Sequence, residues 1–349
     1  MRTCIVVSDT HCGDRMGLFP RQGVTLDEGA DWKPTRLQRT LWEWWMEFGE
    51  WVDDVTKGEA FVLVHNGDAI DGVHHGSTHQ ITQNLTDQRR IARAVLQPLV
   101  DKATIYYHIR GTEAHVGKSA EHEEALAEML GAKPNADGQF ARFDLWLNMS
   151  GHLVHFLHHV GVTGSTAYEA TAVHKELTEE FAEAARWGEQ PPSAIVRSHR
   201  HRHIETRIPT ARGDAIATVT PAWQLKTPFA WKTAGARLTQ PQIGGVALRV
   251  NDEGILYTMP WVRHIGRSPV ETTHNGKDQL RRMAGGTKQG GSAGGEGRGR
   301  SDNGGNIRSD RDARKARPRK AKAGNQKRRL GTGGKEKNRK RPNRKAVSR

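Results

Sequence analysis

The chain has 349 residues, of which 35% are hydrophobic, and a formal net charge of +14. This length allows one large domain or two, with ample material for a core. No apolar stretch approaches the roughly 18 residues of a membrane span and nothing after Met1 resembles a signal peptide, so we expect a soluble, cytoplasmic protein without membrane partners. Cys4 and Cys12 are too few for a disulfide framework and fit a reducing compartment.

The positive charge is concentrated near the C-terminal end of the chain. Residues 275–349 contain 25 Lys and Arg against 6 Asp and Glu, which leaves 28 basic against 33 acidic residues in the first 274. From residue 267 onward Gly, Ser, Asn, Lys and Arg dominate, and such a composition has too little apolar surface to offset the entropy of ordering. We therefore predict a domain over 1–266 and a disordered, Gly-rich, Lys- and Arg-rich tail over 267–349.

The first half of the chain alternates between apolar runs and amphipathic stretches. The runs predict buried strands over 3–7, 60–65 and 103–109. Apolar residues at helical spacing predict helices over 36–57, 87–100 (ending near Pro98) and 118–130. The alternation is typical of βαβ units, in which helices cover a sheet. The tryptophans of the first helix follow its apolar stripe, so we assign them to the core rather than to a base-stacking platform.

The second half of the chain has strands in closer succession. Its apolar runs predict strands over 143–149, 153–157, 193–196, 215–219, 245–250 and 255–259, with one helix over 166–187. Together the two halves predict a protein of the α/β class.

Acidic residues and histidines follow these apolar runs at the point where each run ends. In chain order they are Asp9, His11, Asp68, His115, His158 or His159, His199 and His201. Ligands of open α/β sheets bind at the carboxyl ends of the strands, so we expect these side chains to converge. Carboxylates and imidazoles bind divalent cations, and this set suffices for two ions bridged by Asp68. A two-metal centre is suited to in-line displacement at phosphorus.

Five motifs in this order resemble the calcineurin-like metallophosphoesterases. They are Asp9-x-His11, Gly67-Asp68, Gly111 followed by His115, His158/His159, and Ser198-His199-x-His201. The resemblance spans roughly residues 1–260. It implies a four-layer α/β sandwich, in which two mixed sheets are flanked by helices, and two divalent metal ions, manganese first, with iron or zinc as alternatives.

The resemblance also implies roles for these residues. The first metal's ligands would be Asp9, His11, Asp68 and His201, and those of the second would be Asp68, His158 or His159, and His199. A hydroxide between the ions would attack phosphorus. His115 would protonate or stabilise the leaving oxygen. His203 continues the alternation of His199 and His201, and along an extended backbone all three would face one side.

The third motif departs from the Gly-Asn-His of the family. This chain has Gly111-Thr112-Glu113-Ala114-His115, which is two residues longer and lacks the Asn that binds the second metal. Glu113 or Thr112 could supply an oxygen in its place, and we favour Glu113 because an anionic oxygen suits a divalent cation better. In the fourth motif we prefer His159 to His158, because related sequences place the ligand immediately before the turn.

Site chemistry of this kind does not fix the substrate. The tail, with its excess of 19 positive charges, would attract phosphate backbones through counterion release. This favours a phosphodiesterase or nuclease with nucleic acid as its partner. One alternative is a phosphomonoesterase that acts on proteins or nucleotides and uses the tail for localisation. Another is a nucleic-acid-binding protein without catalytic activity.

Overall fold

The structure is a computed structural model that describes residues 1–74, 76–161, 166–233 and 239–266. Its strands are β1 (Thr3–Val7), β2 (Val24–Thr25), β3 (Asp31–Trp32), β4 (Phe61–Asn66), β5 (Ile105–Ile109), β6 (Ala141–Arg142), β7 (Asp144–Met149), β8 (His152–Leu157), β9 (Ala194–Arg197), β10 (Ile204–Thr210), β11 (Gly213–Val219), β12 (Ile243–Val250) and β13 (Leu256–Arg263). Its helices are α1 (Arg36–Thr56), α2 (Leu85–Val100), α3 (Glu113–Val116), α4 (Glu121–Met129), α5 (Glu169–Trp187) and α6 (Pro228–Lys232). The predicted tail over 267–349 lies outside the described residues.

A six-stranded mixed sheet is built around β1. Its strand order is β13-β12-β1-β4-β5-β6, with β1, β4, β5 and β6 parallel and β12 and β13 antiparallel to their neighbours. Every residue of β1 and β4 is buried, as expected for strands covered on both faces. Asp9 N donates to Gly67 O at 2.9 Å just beyond these strands. The loops that carry Asp9 and Asp68 therefore leave the sheet side by side.

A five-stranded mixed sheet contains the later strands, in the order β10-β11-β9-β8-β7. Strands β8, β9 and β11 are parallel, and β7 and β10 are antiparallel to their neighbours. Ser198 N donates to His158 O at 2.8 Å at the end of β8 and β9. This bond joins the two loops that carry the histidines of the fourth and fifth motifs.

Three apolar clusters separate four layers of secondary structure. The first lies between one face of the six-stranded sheet and helices α1, α2 and α4, and contains Ile5, Phe48, Leu63, Val95 and Leu126. The second lies between the two sheets and contains Val6, Val64, Val154 and Val196. The third lies under α5 and contains Val173, Leu177, Ile195 and Ala217. The predicted four-layer sandwich of two mixed sheets flanked by helices is confirmed.

Helix α1 connects the core to the site. It begins at a capping box, in which Gln38 N donates to Thr35 Oγ1 at 3.2 Å and Thr35 N donates to Gln38 Oε1 at 3.1 Å. Trp45 and Phe48 on its apolar face pack against Trp223, with ring centroids 4.8 and 5.5 Å away. The assignment of this aromatic face to the core is confirmed. Trp223 N in turn donates to Asp9 O at 2.9 Å, so the aromatic core holds the loop that carries Asp9.

Several elements differ from the predictions: the short elements β2, β3, β6, α3 and α6 were not predicted, and α2 and β10 differ for identifiable reasons. Helix α2 includes Pro98 and continues to Val100, because a proline in the last turn removes only one helical hydrogen bond while Leu99 and Val100 are buried. Strand β10 was not predicted. It lies at the edge of its sheet, where Pro209, which has no backbone N–H to donate, is tolerated. Its exposed positions interrupt the apolar run by which a buried strand is predicted.

Cys4 and Cys12 are both buried and free. Among the helices that the structure describes, none is long and apolar enough to cross a membrane.

Candidate metal centre

Five predicted ligands adopt left-handed backbone conformations just after the strands. Within the described ranges eight non-glycine residues have a positive φ, and these five have values of 52°, 41°, 56°, 70° and 53° at Asp9, His11, Asp68, His199 and His201. Such a conformation costs a non-glycine residue about 1–3 kcal/mol and persists only where the surroundings impose it. The loops at these strand ends are therefore held in sharp turns whose side chains meet.

The first group of converging atoms comes from Asp9, His11 and His201. His11 Nε2 lies 3.2 Å from His201 Nε2, and Asp9 Oδ1 lies 3.3 Å from His201 Nε2 and 3.9 Å from His11 Nε2. Ligands bound at about 2.0–2.2 Å to one cation lie about 3–3.6 Å apart in tetrahedral or octahedral geometry. Asp9 Oδ1 is buried and, among the described residues, has no hydrogen-bond partner. The donor set fits a divalent cation.

The second group comes from Asp68, Thr112, His158 and His199. Thr112 Oγ1 lies 3.2 Å from Asp68 Oδ2, 3.3 Å from His158 Nε2 and 3.0 Å from His199 Nδ1. Asp68 Oδ2 lies 3.0 Å from His158 Nε2 and 4.0 Å from His199 Nδ1. Two nitrogens and two oxygens at these separations also fit the ligand shell of one divalent cation.

Asp68 joins the two groups. Its carboxylate is 1% exposed and lies within 4.8 Å of ligand atoms of Asp9 and His11 from the first group, of His158 from the second group, and of His115. Thr112 N donates to Asp68 Oδ1 at 2.6 Å and fixes the carboxylate against the loop after β5. Asp68 therefore occupies the position of a carboxylate shared between two cations.

Buried carboxylates set the charge of the cluster. Burial opposes a charged imidazole at His11, but Asp71, Asp68 and Asp9 outweigh it and raise the pKa of His11 to about 9. Burial also opposes charge at His158, where Asp68 raises the pKa to about 10. The same contacts overcome burial at Asp68 and hold its pKa well below the usual value. A cluster that stabilises positive charge so strongly is suited to cations.

His115 lies at the edge of the cluster. Its Nδ1 donates to Asp71 O at 2.7 Å, which fixes the ring, and its ring centroid is 4.6 Å from that of His11. Burial lowers the pKa of His115 to about 4, so the imidazole is neutral near pH 7 and carries its proton at Nδ1. In this state Nε2 is an acceptor.

Two predicted ligands have different surroundings from the rest. Glu113 was favoured, because of its charge, as the replacement for the Asn of the metallophosphoesterase motif. It is exposed at the start of α3 and belongs to no ligand group of the described residues. Thr112, by contrast, lies in the second group. His159 is exposed and joins only the group of His158 and His199. His158 is buried and also contacts Asp68. The geometry therefore favours Thr112 over Glu113 and His158 over His159.

Asp71 is a site residue that the sequence analysis missed. It is 1% exposed, its Oδ1 lies 3.4 Å from His11 Nδ1, and its Oδ2 lies 3.2 Å from His74 Nε2. A carboxylate behind a metal-binding imidazole orients the ring and raises its basicity. The signal was the spacing of Asp68-x-x-Asp71, which directs two carboxylates of one loop toward the same point.

No family model matches this sequence, and no curated protein matches it. Solved structures that align with the chain include those of Vps29, a phosphatase and a candidate 5′-nucleotidase. Vps29 from Chaetomium thermophilum is 9% identical over 76% of this chain and 99% of its own, with a TM-score of 0.34. A phosphatase from Mycoplasma pneumoniae is 10% identical over 76% and 95%, with a TM-score of 0.35. A candidate 5′-nucleotidase from Staphylococcus aureus, in complex with alpha-ketoglutarate, is 12% identical over 80% and 57%, with a TM-score of 0.34.

Proposed function

We propose that this protein is a phosphoester hydrolase that uses two divalent cations. The observation that carries the proposal is a pair of ligand groups sharing one buried carboxylate, Asp68. The first ion would be held by Asp9, His11, His201 and Asp68, and the second by Asp68, Thr112, His158 and His199. Manganese is the first candidate, with iron or zinc as alternatives.

The residues around the ligands have separate tasks in this proposal. When bound, two cations supply charge stabilisation at phosphorus and a water of lowered pKa. Asp71 orients His11 from behind, since its carboxylate lies 3.4 Å from His11 Nδ1. The backbone carbonyl of Asp71 holds His115 through Nδ1, so that Nε2 faces the leaving oxygen. Because Nε2 carries no proton in the neutral ring, it would first take one from the attacking water and then transfer it to the leaving oxygen.

The test is metal loading and turnover in matched variants. We expect the full chain to bind two Mn²⁺ per molecule and to hydrolyse bis-p-nitrophenyl phosphate. Asp68→Asn should lose activity by about a hundredfold or more, because several kcal/mol of charge stabilisation are removed. Asp137→Asn, at an exposed carboxylate, is the control. Equal rates in Asp68→Asn and the control would contradict the proposal.

Nucleic acid is the proposed substrate, and the charge of the tail supports it. Hydrolysis of single- and double-stranded DNA with Mn²⁺, lost in Asp68→Asn, is the expected result. DNA binding without turnover under any metal would instead fit a binding protein without catalytic activity.

A phosphomonoesterase acting on a small ester is the second candidate. The cluster opens into a cleft of about 370 Å³, a size typical of small-molecule sites. A preference for p-nitrophenyl phosphate over the diester, kept after removal of 267–349, would favour this candidate.

A further inference from the structure

The cleft beside the metal centre has a second, chemically different part. His11, Asp68 and His115 line one part of it. The remaining lining includes a set of apolar side chains that have no role in binding metal: Val160, Ala172, Ile204, Phe229 and Ala230. A phosphate at the metal centre would therefore place the organic part of its ester on an apolar surface.

Phe229 is the aromatic residue of this surface. Its side chain is 49% exposed and belongs to the short helix α6, which begins with Pro228 and is capped by Thr227 Oγ1, an acceptor for Ala230 N at 3.2 Å. A proline and a cap fix the start of the helix. Phe229 thus presents a half-exposed ring from a defined backbone to the space next to the cluster.

Arg200 supplies a positive charge to the same cleft. The other arginine of the lining, Arg202, makes a bidentate ion pair with Glu169, in which both N···O distances are 3.0 Å. Arg200, by contrast, has no ion pair in the described part of the chain, and its buried Nε lacks a hydrogen-bond partner there. One of its terminal nitrogens donates to Gly161 O. The charges of Glu176 and Glu169 act on Arg200 without forming an ion pair with it, and a guanidinium not bound to a carboxylate is suited to a phosphate oxygen.

We infer that the cleft binds phosphate esters through a flat aromatic group that lies against Phe229, while Arg200 contacts a phosphate oxygen. The inference rests on the proposed function, since it places the phosphate at the metal centre. A nucleobase is the biological group with this shape and phosphate chemistry. Base–aromatic stacking is strong and tolerant of base identity, whereas a sugar phosphate alone would leave the apolar surface in water.

The test compares two ligands that differ only by the base. The Mn²⁺-loaded full chain is titrated by calorimetry with adenosine 5′-monophosphate and with ribose 5-phosphate. We expect the nucleotide to bind about five- to a hundredfold more tightly, as stacking on one ring predicts. Phe229→Ala should bring the ratio of the two dissociation constants close to one. Trp187→Ala, at a ring that is 71% exposed on α5 outside the cleft lining, should leave the ratio as in the wild type.

Arg200 is tested by the same pair of ligands. Arg200→Gln should weaken both of them by a similar factor, because the phosphate is common to both, and the ratio should stay high. Equal affinities for the two ligands in the wild type, or an unchanged ratio in Phe229→Ala, would overturn the inference. The titrations measure binding at equilibrium when both ligands are recovered unhydrolysed, and phosphonate analogues replace a ligand that is hydrolysed. A chain that hydrolyses no ester would refute the proposed function while the ratio still decides this inference.

Two sources of the base are separated by a third ligand. A single-stranded oligonucleotide with a 5′-phosphate is compared with adenosine 5′-monophosphate at 0.5 M salt, where electrostatic binding by the tail is suppressed. Tighter binding of the oligonucleotide supports the inference with a nucleic-acid end as the source. Equal or tighter binding of the nucleotide supports it with a free nucleotide as the source.

Discussion

Gly111 is a position in the candidate metal centre that leaves no room for a side chain. A Cβ built on it would overlap Asp68 Oδ1 and lie 2.9 Å from Asp68 Cα. Gly111→Ala should displace the shared carboxylate and weaken binding of the second cation by about 10–100-fold, as losses around metal ligands do. The control is Gly49→Ala in α1, where nothing lies within 4 Å and a gain of about 0.5–1 kcal/mol is expected. Calorimetric Mn²⁺ titration measures the first effect, and unchanged affinity in Gly111→Ala would contradict it.

The ion pair between His79 and Asp14 predicts a pH-dependent stability. His79 Nδ1 lies 2.6 Å from Asp14 Oδ2, and this contact raises the pKa of His79 above its usual 6.5. A raised folded-state pKa gives stabilisation that is complete below about pH 6.5 and is lost as the pH rises through the folded value. His79→Gln should therefore reduce the free energy of unfolding by about 1.5–3 kcal/mol at pH 6 and by less at pH 9.

Urea denaturation at both pH values measures the difference for His79→Gln. His174→Gln, at an exposed histidine of α5, provides the control. An equal loss at pH 6 and pH 9 would show that the charge of His79 is not involved.

Residue identities at the site were predictable where a side chain directly follows a buried strand. Asp9, His11 and Asp68 meet that condition, since an apolar run ends just before each loop. The prediction of His159 as the ligand stays a prediction, and strand periodicity argues for His158. Val154, Phe156 and His158 share one face of β8 and its continuation, so His158 points inward. The preference for Glu113 followed charge, but the order of side chains around the first turn of α3 is not visible in the sequence.

At the scale of elements, Glu123 on α4 holds together the two loops that carry Asp68 and Thr112. It is fully buried, and its Oε1 and Oε2 accept from Ala69 N at 2.9 Å and Gly111 N at 2.6 Å. In Glu123→Gln the side-chain NH₂ group would face one of these two backbone N–H groups, and two donors cannot hydrogen-bond to each other. We therefore expect a loss of about 1–3 kcal/mol in the free energy of unfolding. Loosening of the loops should also weaken the second cation's binding.

Urea unfolding and Mn²⁺ titration measure the two effects of Glu123→Gln. Glu128→Gln, at an exposed position of the same helix, should change neither. Full stability together with full metal affinity in Glu123→Gln would contradict the positioning role.

Elements with long apolar runs were predictable, and those shaped by tertiary contacts were not. Strands β1, β4 and β5 stand out because both of their faces are buried. The segment from His199 to His203 was predicted as extended, and this was wrong. Left-handed conformations at His199 and His201 turn the chain, and His203 instead lies with Nδ1 3.2 Å from Val219 O. The turn at His199 and His201 depends on contacts with the other residues of the candidate metal centre. The alternation of histidines in the sequence does not predict such contacts.

At the scale of the whole molecule, the chain combines a long N-terminal part of negative net charge with a strongly basic C-terminal part. The first 274 residues carry 28 basic and 33 acidic residues, and the last 75 carry 25 and 6. The three apolar clusters formed by the described residues supply a core to 1–266, so we expect that part to fold without the remainder. Charge separation of this kind predicts that affinity for DNA depends on 267–349 and that catalysis does not.

Salt dependence of DNA binding tests this division. For the full chain, the logarithm of the association constant should fall linearly with the logarithm of the salt concentration, at a slope of about −0.9 per phosphate neutralised. For 6–10 phosphate contacts this amounts to a loss of about 10³–10⁵ in affinity between about 50 and 200 mM salt. Removal of 267–349 should nearly abolish the slope, because the remaining charge is negative. A full-length variant with Gln at every Lys and Arg of 267–349 separates charge from length, and should behave like the truncation. A steep slope retained by either variant would place the binding surface in 1–266 instead.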